Sequence, residues 1–170
     1  MTAVLEHALP HILLVDESSE DLTLIQQSCA DSGVPAVFHL AQDGAEALAC
    51  VSRLSQQGSP PNLIVLDILL PVKDGFQVLQ ELRRRSDARD IPVLILTGSA
   101  DMGHVGRSFR MGADLYLYKP VVYDDKRVIA QRMAELLSHQ PLAARSSAGV
   151  VRSGGGGHPR EGDASARRAC

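Results

Sequence analysis

Five short apolar runs punctuate the chain at His11 to Val15, Ala36 to Leu40, Leu63 to Leu66, Ile91 to Leu96 and Leu115 to Tyr118. Runs of four to six such residues suit strands buried on both faces. Between and after them, apolar residues recur every three or four positions: Leu22, Ile25 and Cys29; Ala47, Val51 and Leu54; Phe76, Leu79 and Leu82; Met102, Val105 and Phe109; Ile129, Met133, Leu136 and Leu137. That period predicts five helices, each with one face turned to a core. Strand and helix alternate throughout, joined by short loops. This is an α/β pattern, and right-handed crossovers turn it into a doubly wound, five-stranded parallel sheet with five helices on its two faces.

Local signals mark the boundaries. Pro60-Pro61 and Pro71 bracket the central run, NLIVLDILLP. Ser18 with Asp21 three residues on predicts a capping-box-like helix start. Ser32-Gly33 and Pro35 stop that helix, and Gln42-Asp43-Gly44 makes a turn. Arg83, Arg84 and Arg85 fall in the last turn of the third helix, where positive charge suits the helix dipole and solvent takes the side chains. Gly103 and Gly106 each weaken the fourth helix by about 1 kcal/mol relative to alanine, so packing of its apolar face is expected to order it. Asp124 and Asp125 favour the start of the fifth helix.

Apolar periodicity gives out after the last helix. Residues 140–170 include four consecutive glycines and little to bury, so they are expected to form a disordered Gly/Ser/Arg-rich tail, as residues 1–9 are a flexible start. One domain, residues 10–139, remains. The segment from Pro141 holds five of the 17 basic residues and two of the 20 acidic ones, leaving 12 against 18 before it. So acidic a domain argues against binding nucleic acid. No run approaches the roughly 20 apolar residues that span a bilayer, and the first ten residues lack a signal-peptide pattern, so a cytoplasmic protein with no membrane partner is expected. Cys29 and Cys50 read as small buried hydrophobes, Cys170 as a terminal thiol, and the six histidines as surface or structural groups.

The candidate chemistry lies where the strands stop. The first run ends at Asp16-Glu17, the third at Asp67, the fourth at Thr97 and the fifth at Lys119. In a parallel sheet these ends share one edge, the edge at which open α/β sheets bind ligands. At a separation of about 4 Å and an effective dielectric of about 20, each like-charge carboxylate pair costs on the order of 4 kcal/mol, so a cation must sit among them. An all-oxygen cluster without histidine or thiolate suits Mg²⁺, held by Asp16, Glu17, Asp67 and the Leu69 carbonyl. Mg²⁺ and the Lys119 ammonium would draw in a phosphoryl group, Asp67 would accept it, and Thr97 would donate to a phosphoryl oxygen.

The pieces LLVDE, NLIVLDILLP followed by KDG, LILTGSAD and GADLYLYKP together resemble the receiver domain of two-component response regulators, across about residues 10 to 139. The resemblance implies a flavodoxin-like fold, an acidic pocket at Asp16 and Glu17, a phosphoacceptor at Asp67, a switch hydroxyl at Thr97 and an active-site lysine at Lys119. It also matches Tyr116 to the family's switch aromatic. Function would then be a switch: a histidine kinase or phosphotransfer protein donates the phosphoryl group. The face made by the fourth helix, fifth strand and fifth helix then repacks, altering contacts with a downstream protein or a second copy in a homodimer. PVKDG and the absence of an output domain resemble stand-alone regulators such as those working with phytochrome-type kinases.

Two departures stand out. Glu17 replaces the family's usual second aspartate, and Leu69 and Ser99 leave the two variable positions beside the acceptor without a carboxylate or amide. Glu17 motivates one alternative, a degenerate receiver that binds partners without phosphorylation. Another is a Mg²⁺-dependent phosphatase of haloacid-dehalogenase type, which would need a second aspartate where this chain has Leu69.

Overall fold

The computed structural model describes residues 9–120, 126–139 and 167–169. Six parallel strands run in the order β5-β4-β3-β1-β2-β6: β1 His11–Val15, β2 Val37–Ala41, β3 Leu63–Leu66, β4 Val93–Thr97, β5 Leu115–Tyr118 and β6 Arg167–Ala169. The helices are α1 Ser19–Asp31, α2 Gly44–Gln56, α3 Gly75–Arg84, α4 Met102–Arg110 and α5 Lys126–Ser138. The five expected strands and five helices are therefore all present, with β2 and β4 displaced by one or two residues toward their carboxyl ends.

The sixth strand was not expected. Arg167, Arg168 and Ala169 pair with Phe38, His39 and Leu40, so three residues of the expected tail extend the sheet beyond β2. An outer strand presents unpaired N–H and C=O groups that another extended segment can satisfy, whatever its side chains. That is why apolar patterning did not reveal it. The rest of that tail, the first eight residues and Asp124-Asp125 lie outside the described residues.

Alternation along each strand builds two cores. Ile12 and Leu14 of β1, Leu63 and Val65 of β3, and Leu94 and Leu96 of β4 pack with Leu22, Ile25 and Cys29 of α1 and Ile129 and Met133 of α5. Their neighbours Leu13, Val15, Ile64, Leu66, Val93 and Ile95 pack with Val51 and Leu54 of α2 and Phe76, Leu79 and Leu82 of α3. Each fully buried aliphatic side chain contributes roughly 1.5–3 kcal/mol, so the central strands anchor the fold from both sides. The free Cys29 thiol belongs to this core, and burial pushes its pKa up to about 12. Cys50 is equally buried, in the opposite core as expected, but it is disulfide-bonded, which the reading of it as a small hydrophobe did not include.

Four helices start at the edge where the strands end. Ser18, Asp43, Asp74 and Asp101 cap α1, α2, α3 and α4 through their side chains, and Asp74 and Gln77 form a reciprocal capping box. Glycine is required where α3 meets β3: a Cβ on Gly75 would lie 2.2 Å from the Asp67 carbonyl oxygen. Just before it, Lys73 N donates to Pro71 O at 2.8 Å, closing a tight turn that forces Val72 to φ +66°. A β-branched residue is strained there.

The arginine run and α4 both depart from expectation. Arg83 is no solvated dipole partner. Its five N–H groups donate to Gly112 O twice, Arg89 O, Ile91 O and Asp114, stapling the end of α3 to the loops around β4 and α4. Burial lowers its pKa, and Asp114 and Asp90 partly offset this. Arg85 pairs with Asp87 and reaches Ser52 of α2. In α4 two residues of the expected inward face look outward: Met102 is 74% and Phe109 48% exposed, while Val105 is half-buried and Ser108 is the helix's buried residue.

Arg83→Ala is expected to destabilise the fold by about 2–3 kcal/mol, because carbonyls that received charged donors lose them. A urea midpoint unchanged from wild type would contradict that role. Val72→Asn should instead raise stability by about 1 kcal/mol by relieving the left-handed strain at an exposed position, read as an increase in the thermal midpoint.

Candidate functional site

Strand register carries the acids together. Val15 of β1 lies beside Leu66 of β3, Asp67 N donates to Val15 O at 3.0 Å, and Asp16 N donates to Ala41 O at 3.0 Å. Asp16 and Asp67 thus emerge side by side at the point where the chain leaves the sheet in opposite directions, toward β2 on one side and β4 on the other. Such a switch point opens a crevice above the strand ends. On the next strands, Thr97 closes β4, and Lys119 N donates to Thr97 O at 2.9 Å, which sets the lysine just past the end of β5.

The Lys119 side chain returns across β4 to the acids. Its Nζ lies 2.6 Å from Asp16 Oδ2 and 2.7 Å from Asp67 Oδ2, with both carboxylates almost wholly buried. Burial pushes the Asp16 carboxyl above the ordinary range, although hydrogen bonds from Lys119 and Ser18 N favour its charged form. For Lys119, burial disfavours the ammonium, yet its bonds to Asp16, Asp67 and Asp21 together outweigh this and hold its pKa above the usual value. The pair of buried acids and the ammonium therefore stabilise one another in place of water.

Asp21 is the residue that sequence reasoning missed. The sequence pattern makes it half of a capping box, and Asp21 N does donate to Ser18 Oγ at 3.2 Å. Its side chain does not turn back to the cap but reaches Lys119 Nζ at 3.0 Å. A signal was available: Asp21 stands four residues before the buried Ile25 and so shares its helical face, at the end nearest the strand termini.

Thr97 is fully buried, and its Oγ1 accepts from Ser99 N at 3.3 Å. Leu69 N donates to Asp67 Oδ1 at 3.1 Å, while the Leu69 side chain is 53% exposed. Glu17 is exposed and does not join Asp16 and Asp67. Among the described residues no three acidic, histidine or cysteine side chains converge as a ready cation cage. Glu17 and Leu69 instead line a groove at the mouth of the site with Asp74, Phe76, His104 and Arg107. Arg107 lies over the Phe76 ring at 3.9 Å, and Ser99 Oγ contacts His104 Nδ1 at 2.8 Å.

Tyr116 pairs in register with Ile95, packs against the core on the α2 and α3 side and meets Tyr118 edge-on at 5.4 Å. Its hydroxyl is buried without a hydrogen-bond partner among the described residues. Burial raises its pKa, with smaller contributions from Tyr118, Asp101 and Asp67.

The donor chemistry fits a hard divalent cation. Asp16 and Asp67 offer carboxylate oxygens, with no histidine or cysteine beside them among the described residues, and Glu17 stands at the entrance. None of the described helices is long and apolar enough to cross a membrane.

Comparison with known proteins agrees with this geometry. The family model described as Response regulator receiver domain matches residues 12–133. Response regulator Rcp1 of Synechocystis is 40% identical over 113 residues, spanning 64% of this chain and 75% of Rcp1. RpaA of the same genus, named a DNA-binding master transcriptional regulator, is 34% identical over 82% of this chain, but this chain spans only 55% of it. Among solved structures, the phosphorylated cyanobacterial phytochrome response regulator RcpA superposes with a TM-score of 0.70 at 30% identity, covering 78% of this chain and 96% of RcpA. The Mn²⁺-bound form of Rcp1 gives 0.63 at 34% identity, covering 74% and 92%. With its parallel sheet, its acids at the switch point and a family match over most of its length, this chain belongs to the response regulator receiver domains of two-component systems.

Proposed function

We propose that this receiver accepts a phosphoryl group on Asp67 from a histidine kinase or histidine phosphotransfer protein and signals by changing its protein contacts. The observation that carries this reading is the buried Asp67 carboxylate, 2.7 Å from the Lys119 ammonium and beside Asp16. In the transfer, an Asp67 oxygen forms a bond to phosphorus while the bond from phosphorus to the donor nitrogen breaks, its electron pair leaving with the donor imidazole. Lys119 holds the charge of the transferring oxygens, and the Thr97 hydroxyl donates to one of them. Asp16, Glu17, Asp67 and the Leu69 carbonyl would hold Mg²⁺, which when bound supplies further positive charge to the phosphoryl oxygens. Hydrolysis of the resulting acyl phosphate resets the switch. The domain is a self-modifying switch in the cytoplasm, not a turnover enzyme.

Tyr116 and Thr97 transmit the change. A buried tyrosine hydroxyl without a partner stores the cost of an unmade hydrogen bond, so the inward ring has an incentive to move when Thr97 shifts toward the phosphoryl group. Ring movement would repack α4, β5 and α5, whose exposed Met102, Phe109 and Tyr118 form the contact face for a downstream protein or a second copy. The relatives named for phytochromes support a phytochrome-type kinase as the donor.

Incubation with Mg²⁺ and acetyl phosphate is expected to add one phosphoryl group to wild type and none to Asp67→Asn, read by intact mass. A wild-type chain left unmodified by this donor and by a cognate kinase would favour a phosphorylation-independent binding module. The apolar Leu69 side chain, exposed beside Asp67, should shield the acyl phosphate from attacking water. Leu69→Asn is therefore expected to shorten the phosphoryl lifetime severalfold, and equal lifetimes in a decay assay would remove that role.

A further inference from the structure

All four oxygens of the two buried carboxylates are engaged. Asp16 Oδ1 accepts from Ser18 N and Asp67 Oδ1 from Leu69 N, while Oδ2 of each faces Lys119 Nζ. A cation or phosphoryl group reaching these oxygens must therefore compete with the ammonium. Lysine carries three N–H donors on a flexible stem, so it can yield an oxygen when another acceptor is within reach.

Asp21 is that acceptor. Its Oδ2 lies 3.0 Å from Nζ, and its side chain is 38% exposed where those of Asp16 and Asp67 are 3% and 4%. It thus stands on the solvent side of the ammonium, away from the strand ends. Nothing in the family resemblance gives this position a role, and the packing of α1 alone does not need it.

We propose that Asp21 is a positioning residue: a second, outer seat for the Lys119 ammonium that lets the lysine release Asp16 and Asp67 to an incoming cation without losing its ion pair. The proposal rests on the reading of Asp67 as phosphoacceptor. In Asp21→Asn the neutral amide is a weaker acceptor than a carboxylate, so the ammonium stays on the buried pair and the cation competes against a more firmly held lysine. Removing one negative charge also weakens cation binding in general. Glu20→Gln controls for this, because Glu20 is the exposed neighbour on the same helical turn and its loss changes the net charge equally.

The test is the Mg²⁺ dissociation constant by calorimetry and the rate of phosphoryl incorporation from acetyl phosphate, for wild type, Asp21→Asn, Asp21→Glu and Glu20→Gln, each checked for an unchanged thermal midpoint. Expected are a roughly tenfold weaker Mg²⁺ affinity in Asp21→Asn, equivalent to about 1.4 kcal/mol, with a matching loss of rate at subsaturating Mg²⁺. Glu20→Gln should change less than twofold, and Asp21→Glu should recover most of the affinity. Wild type that binds Mg²⁺ and is modified on Asp67, with Asp21→Asn and Glu20→Gln alike, would overturn this inference alone. Wild type that neither binds Mg²⁺ nor takes up phosphoryl groups would overturn both it and the function proposed above.

Discussion

Two carboxylates buried side by side cannot both stay charged without a cation between them. At an effective dielectric of about 20 and about 4 Å apart they repel by on the order of 4 kcal/mol, before the cost of burial is added. Lys119 supplies the cation from the far end of the domain's chain, more than fifty residues after Asp67. The domain depends on this contact in both directions. The ammonium makes the acids tolerable, and the acids make a half-buried lysine tolerable. A site held together by compensation rather than by packing is also one that a further charge can rearrange, which is what the proposed phosphoryl switch requires.

The packing serves that contact. Both faces of β1, β3 and β4 are buried, so the ends of these strands are rigid, and the hydrogen bonds from Asp67 N to Val15 O and from Lys119 N to Thr97 O tie the functional ends in pairs, β3 to β1 and β5 to β4. Gly75 lets α3 start against the Asp67 carbonyl without a clash, and Arg83 locks the other end of α3 to the loops that lead into β4 and β5. The central strands carry the acids rigidly, while the turn after β3 carries strain at Val72 and the outer strand β5 carries the Tyr116 hydroxyl, which has no hydrogen-bond partner among the described residues. Stability and the capacity to change are thus held by different parts of the same domain.

The α4 region shows the second of these properties. Two glycines weaken its helix, its Met102 and Phe109 face solvent, and the Arg107, Phe76, His104 and Ser99 contacts hold it to the mouth of the site. Segments with little buried surface open at low free energy, so this one is suited to report what happens at Asp67.

How much of this was legible beforehand follows from how each feature is encoded. Buried strands and amphipathic helices write their periods locally, so the five strands, five helices and parallel order could be read, as could the strand-end positions of Asp16, Asp67, Thr97 and Lys119. The direction of a side chain is written nowhere in the period. Asp21 caps in sequence but reaches Lys119 in space, Arg83 looks solvated but binds four residues in two loops, and Met102 and Phe109 of the α4 stripe look inward but point out. The pairing of Arg167–Ala169 with β2 uses backbone groups that every sequence possesses. By itself the chain determined its elements, their order and the chemistry gathered at one edge, because those follow from hydrophobic burial and local sterics. Only the tertiary structure decided which acids share the lysine, which do not, and which apolar faces stay exposed, because those outcomes depend on distances between residues far apart in the chain.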